Sequence, residues 1–172
     1  MKKLLFIAMI TLAGIGTVTA QSTKFFSTAG FTSATAKGKA PGIPDVSETE
    51  SGIYGGVGAI FGLDDKSGIF TELSYSNIDD TNFIQLPVLY KYEFVDKFSL
   101  LAGPEFVYLA EESIDDFSNF SVGLAAGLSY DISEDFFVLA RYMFQMTNSY
   151  TGPVDDVSLR TSFLNIGVGY SF

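Results

Sequence analysis

From Thr161 to Phe172 the chain alternates without a break. Leu164, Ile166, Val168, Tyr170 and Phe172 fall on one side; Thr161, Phe163, Asn165, Gly167, Gly169 and Ser171 fall on the other. A period of two is that of a β-strand, whose successive side chains point to opposite faces. The stretch 121–130 repeats the pattern, with Val122, Leu124, Ala126, Leu128 and Tyr130 set against Ser121, Gly123, Ala125, Gly127 and Ser129. The second face is what constrains the fold. Gly and Ser are too small for an ordinary solvated face and suit a crowded interior, which leaves the apolar side chains outside. The chain is 47% hydrophobic and only 17% charged, against about 25% charged in an ordinary soluble domain. A secreted sandwich or soluble barrel would need a charged exterior that these faces do not supply.

Eight such segments are expected, at 24–34, 51–62, 69–78, 82–94, 98–110, 118–131, 136–148 and 160–172. Short connections at 63–68, 95–97 and 132–135 carry hairpin-turn residues. They alternate with longer ones at 35–50, 111–117 and 149–159, and with a shorter one at 79–81. Strands of about 10 residues, short turns at one end and longer loops at the other are the signature of a transmembrane β-barrel. Tyr and Phe recur near strand ends, at Tyr75, Tyr92, Phe94, Phe98, Tyr108, Tyr130, Phe136, Tyr142 and Phe172, as interfacial girdles would.

The first twenty residues have another grammar. Lys2 and Lys3 precede an apolar run from Leu4 to Gly16, and Val18-Thr19-Ala20 forms a small-residue cleavage site. This is the pattern of a secretory signal peptide, and the run is too short for a membrane-spanning helix. Residues 1–20 are therefore expected to be a cleaved leader and 21–172 the barrel. Loss of Lys2 and Lys3 takes the net charge from −10 to −12.

Residues 83–92, FIQLPVLYKY, resemble the strand signature of the small PorT-like outer-membrane β-barrel family of Bacteroidota. LLAGPEF at 100–106 follows on the next strand, as it does in that family. The likeness covers the mature chain in strand rhythm and is specific in these two segments. It implies an eight-stranded barrel in the outer membrane of a Gram-negative cell. It does not imply one function, since most members are uncharacterised and a minority serve protein secretion. A closing strand that ends on Phe172 keeps the last edge out of lipid. It also resembles the C-terminal signal read by the barrel assembly machinery, which the resemblance makes a partner.

Cysteine and histidine are both absent. That removes thiolate chemistry, the Ser-His-Asp triad and the commonest metal ligand. Neither a catalytic residue nor a cofactor or metal site is expected. Four charged residues fall on the inward faces: Glu72, Lys91, Glu105 and Arg141. An eight-stranded barrel is just wide enough for side chains to fill. Glu72 and Lys91 are expected to lie at matching depth on adjacent strands, and Glu105 and Arg141 to meet across the lumen, as structural ion pairs. A gated proton or ion path is the sharper alternative. Pro87 and Pro104 sit inside neighbouring strands and are expected to mark one local bulge or widened register.

Acidic pairs at Asp79-Asp80, Glu111-Glu112, Asp115-Asp116 and Asp155-Asp156, with Asp45, Glu48 and Glu50, fall in the expected surface loops. They read as a solvated rim, with a weak divalent-cation site bridging to lipopolysaccharide phosphates as the alternative. The acidity opposes nucleic acid as a partner. The longest connection, TAKGKAPGIPDVSETE at 35–50, is expected to be an irregular loop and a contact surface.

The sequence thus reads as an all-β, eight-stranded, antiparallel, up-and-down transmembrane barrel. Its expected role is that of a non-enzymatic, closed scaffold presenting acidic loops, with outer-membrane lipid and lipopolysaccharide around it. The alternatives are a small pore for solutes or ions and an accessory barrel of a secretion system.

Overall fold

A computed structural model describes residues 23–112, 115–154 and 156–172. The leader expected at 1–20 lies outside the described residues, as does Asp155 of the last acidic pair. Eight strands follow one another: β1 (Thr23–Ala40), β2 (Ile43–Gly62), β3 (Ser67–Ile78), β4 (Thr81–Val95), β5 (Phe98–Leu109), β6 (Phe120–Asp131), β7 (Phe136–Gln145) and β8 (Ser158–Ser171). Each is antiparallel to the next. β8 returns to β1 over a ladder from Phe26↔Ser171 to Lys39↔Ser158, so the sheet is a closed barrel in up-and-down order. Closure pairs the backbone all the way round, which a strand-built membrane protein needs because lipid offers no hydrogen-bond partners.

The alternation settles which face is which. On β7, Phe137, Leu139, Arg141, Met143 and Gln145 are buried, while Phe136, Ala140, Tyr142 and Phe144 are exposed. Leu164, Ile166, Val168 and Tyr170 of β8 are exposed in the same way. The large apolar side chains thus point outward, and the lumen takes the small, polar and ionic ones together with a few large aromatics. The inward glycines make room for those aromatics: a Cβ on Gly58 would overlap the Phe26 ring, and one on Gly169 would overlap the Phe137 ring.

The lumen is filled in layers. Near the short-turn end Phe26 stacks on Phe70 with centroids 4.8 Å apart and meets Phe137 edge-on at 5.5 Å. Leu89, Leu101 and Leu139 are buried in the same cluster. Ionic and amide side chains follow, and above them Met143, Val107 and the Phe83–Phe163 pair, whose centroids are 5.1 Å apart.

The connections differ from the sequence expectation in one place. The segment 35–50 is not an irregular loop. β1 and β2 run through it as a hairpin that turns on Pro41-Gly42, with Ala40 opposite Ile43. Gly42 has φ +74°, and Pro then Gly at the two central positions is the type II arrangement. Thr35 and Thr49 pair across it with hydroxyls 2.9 Å apart. β2 parts from β3 after Gly52↔Ile78, so 43–51 stands beyond the barrel with β1 on one side only. That overhang is about 30 Å long at the rise of a strand.

Pro87 and Pro104 mark no bulge and no change of register, but the ladder is interrupted between them, where Val88 and Leu89 have no paired partners on β5. Glu105 is opposite Pro87 and Ala102 opposite Tyr90, so one register holds on both sides of the interruption. The register shift of this hairpin lies at Glu93/Val95, beside the turn. Pro87 points inward and is buried, whereas Pro104 points outward.

Candidate functional site

Arg141 of β7 lies opposite Gly127 of β6, and Glu105 of β5 lies opposite Gly123 of β6. The small inward face of β6 lets the arginine side chain pass over it. Its Nε is 3.1 Å from Glu105 Oε2, an ion-pair contact outside hydrogen-bond alignment. Its Nη1 donates to Glu72 Oε2 at 2.9 Å, on β3 across the barrel. Thr28 of β1 donates its hydroxyl to the other Glu72 oxygen. The three charged side chains are no more than 1% exposed. A second bridge lies alongside: Asn165 Nδ2 of β8 donates to Gln85 Oε1 of β4 at 2.7 Å, and Thr32 Oγ1 donates to Asn165 Oδ1 at 2.5 Å. One guanidinium between two carboxylates leaves this belt formally one charge negative.

Lys91 is not part of the belt. The β3–β4 turn at Asp79-Asp80 puts Lys91 opposite Gly68, four residues and about 13 Å along the strand from Glu72. The expected Glu72–Lys91 pair is therefore absent, and Lys91 Nζ sits 3.8 Å from Asp131 Oδ2 at the short-turn mouth. That mouth is a cavity of about 120 Å³ lined by charged residues including Lys24, Lys91, Asp131 and Asp135. Phe172 lies just past β8. Its N–H donates to the Phe25 carbonyl at 2.9 Å, and its ring stacks beside Tyr170 at 6.5 Å.

The long-loop end opens into a larger cavity of about 350 Å³, lined by Phe83, Val107, Leu109, Phe117, Leu159 and Phe163 among others. The connections β5–β6 and β7–β8 are zipped over it. Phe117 and Tyr150 form a β-bridge with their rings 5.5 Å apart, and Ser118 N–H donates to the Ser149 carbonyl. This vestibule was not legible in the sequence, since its wall comes from five strands and two connections. Of the acidic pairs, Glu111 accepts from the Asn82 backbone and side chain at 3.0 and 2.9 Å. Asp79 and Asp80 form the β3–β4 turn. Among the described residues no three acidic side chains come together as a metal site. In the β2–β3 turn Asp64 accepts from the Ser67 hydroxyl and from the backbone N–H of Lys66 and Ser67, which holds its carboxyl below the usual range.

A closed antiparallel eight-stranded sheet with an apolar belt outside and a packed polar lumen is a membrane barrel of the outer-membrane type. Residues 66–172 match the family described as the outer membrane protein beta-barrel domain, and the chain belongs to that family. That places it in the outer membrane of a Gram-negative cell. Among solved structures it is similar to Neisserial surface protein A (NspA), with a TM-score of 0.50, 19% identity, and 88% of this chain and 99% of the other covered. The attachment invasion locus protein Ail of Yersinia pestis gives a TM-score of 0.47 at 16% identity, covering 87% and 99%. OprG of Pseudomonas aeruginosa gives 0.44 at 16%, covering 88% and 96%. No curated protein matches the chain in sequence.

Proposed function

We propose that the protein is a closed, non-enzymatic outer-membrane scaffold whose long-loop end presents the contact surface. One observation carries this reading: Arg141, Glu72 and Glu105 meet across the full width of the lumen, directly above a layer of stacked phenylalanines. A solute would have to break buried ion pairs and displace rings that are almost wholly buried. In this reading Glu72, Glu105 and Arg141 are structural, Lys91 guards the periplasmic mouth, and Phe172 completes the seam between β8 and β1. The barrel assembly machinery is the partner during insertion. The segments that resemble PorT-like barrels supply Gln85, Pro87 and Glu105 to the lumen, so the likeness bears on the interior rather than on a secretion partner.

The test is conductance in planar bilayers of the purified, detergent-solubilised protein. The expected result is no steady single-channel current across several hundred millivolts and at both low and neutral pH. A reproducible conductance that vanishes on heating would overturn the closed scaffold and favour the pore.

A further inference from the structure

We propose that Lys37, Lys39 and Arg160 form a site for the phosphate groups of an outer-leaflet lipid. The described residues contain eight lysines and arginines. Lys24, Lys66, Lys91 and Lys97 lie at the short-turn end and Arg141 lies in the lumen. The other three are all at the long-loop end, on the adjoining strands β1 and β8.

They are also sorted by face. Lys37 and Lys39 share the parity of Phe31, and Arg160 shares that of Leu164, so all three belong to the outward, lipid-side face. Glu48 and Glu50 on β2 share the parity of buried Tyr54 and belong to the other face. An acidic chain has thus placed its extracellular cations over the membrane and turned neighbouring carboxylates away from it. The one acid on the same face of the hairpin is Asp45, which pairs with Lys39 at 2.7 Å, both being more than 60% exposed.

The register makes the cluster costly without a ligand. Lys37 lies directly opposite Arg160 in the β1–β8 ladder. Opposite residues have Cβ atoms about 5 Å apart, and like charges in that relation destabilise a sheet. Among the described residues no carboxylate lies within ion-pair distance of either side chain. A multiply charged anion seated between them removes the repulsion, and the planar Arg160 guanidinium suits phosphate.

Height and direction favour a lipid over a soluble anion. Arg160 is four residues past Leu164, the last outward apolar residue of β8. That is about 13 Å along the strand and about 10 Å along the normal at the tilt of a barrel strand. Ser33 and Thr35, half-buried, and Ser162, buried, hold the positions of the same parity between. Long cationic side chains bend back toward the interface, which brings their charges to headgroup level. Directly below, Phe31 is 74% exposed and pairs with Ile166, an apolar surface for the acyl chains of the same molecule.

The experiment measures lipid retention on the full-length, detergent-solubilised protein by native mass spectrometry, with each variant first shown to keep its heat-dependent gel shift. The probes are diphosphorylated lipid A, the same lipid A stripped of phosphate, and inorganic phosphate. Wild type should retain diphosphorylated lipid A at least tenfold more tightly than the stripped form, and less tightly as salt rises. K37Q/K39Q/R160Q should lose that preference, while K24Q/K97Q, which removes two cations from the opposite end, should keep it. A second measurement needs no lipid. K37T should raise the unfolding midpoint in neutral detergent by removing the like-charge pair, yet weaken lipid A retention. Equal retention of the two lipids, a triple variant that binds like wild type, or displacement of the lipid by millimolar inorganic phosphate would each overturn the proposal.

Discussion

Replacing Arg141 with methionine keeps most of the side-chain volume and deletes the only cation of the lumen belt. Glu72 and Glu105 are then left with side chains that are 0% exposed. Glu72 retains one donor, the Thr28 hydroxyl; Glu105 retains no hydrogen-bond donor among the described residues. Breaking a buried ion pair by removing one partner costs about 3–5 kcal/mol, because a charge stays behind in a low-dielectric site. Two carboxylates share this guanidinium, so the upper part of that range is expected for R141M. The assay is urea unfolding in a defined detergent or liposome, read by the heat-modifiable gel band and by far-ultraviolet circular dichroism. The control is R141M/E72Q/E105Q, which removes the charges together. Neutralising a whole buried network is often close to neutral in stability, so the triple variant should recover most of the loss. If R141M unfolds within about 1 kcal/mol of wild type, or the triple variant is as unstable as the single, the belt is not the ionic brace described above.

Gly169→Ala should cost about 1–3 kcal/mol by driving a methyl group into the Phe137 ring, and Phe137→Leu in the same chain should restore part of it in the same unfolding assay. Asp79 and Asp80 both have positive φ, 45° and 62°, which fits a two-residue hairpin turn but suits Asn-Gly better; D79N/D80G should stabilise by about 0.5–1 kcal/mol. Asp64 has its carboxyl held down by the Ser67 hydroxyl and nearby backbone N–H groups. A depressed carboxylate stabilises the turn above the unfolded value, near 3.9, and that contribution is lost as pH falls through the lower folded value. Its carbon-13 titration should therefore have a midpoint below the ordinary carboxylate range and move up in S67A; an unchanged midpoint in S67A would remove the hydroxyl from the account.

The barrel was legible because the membrane imposes a period-two rule on every strand that crosses it. Leu164 through Phe172 against Asn165 through Ser171 is enough to give strand, face and solvent at once. Above the membrane the rule lapses. Thr35, Lys37, Ser47 and Thr49 are cross-strand neighbours on one face, and the large apolar residues of the segment, Ile43 and Val46, fall on opposite faces, so no alternation marks it as strand and it reads as a loop although Pro41-Gly42 is a turn signal. The charged belt was half legible. Inward parity picked out Glu72, Glu105 and Arg141, but partners depend on register, which a turn sets to the residue. Counting back from Asp79-Asp80 places Glu72 opposite Pro87, not Lys91, and that signal was available in the sequence. What no local pattern gives is reach: an arginine on β7 meeting a glutamate on β3 is a fact about barrel diameter.

That reach has a consequence in time. β7 and β3 are four strands apart in a ring of eight, and so are β8 and β4, joined by Asn165 and Gln85. Neither bridge can form in a sheet that has not yet curled shut. Glu105 can meet Arg141 as soon as β7 has joined β6, but Glu72 has no guanidinium until the sheet closes, and a part-built sheet inserting into lipid would carry it as an unneutralised charge. The finished barrel gains little from an ion pair it could have replaced with leucines. The unfinished one leaves Glu72 buried without its guanidinium, so the belt is expected to favour the closed sheet over a part-built one, and R141M should narrow that difference.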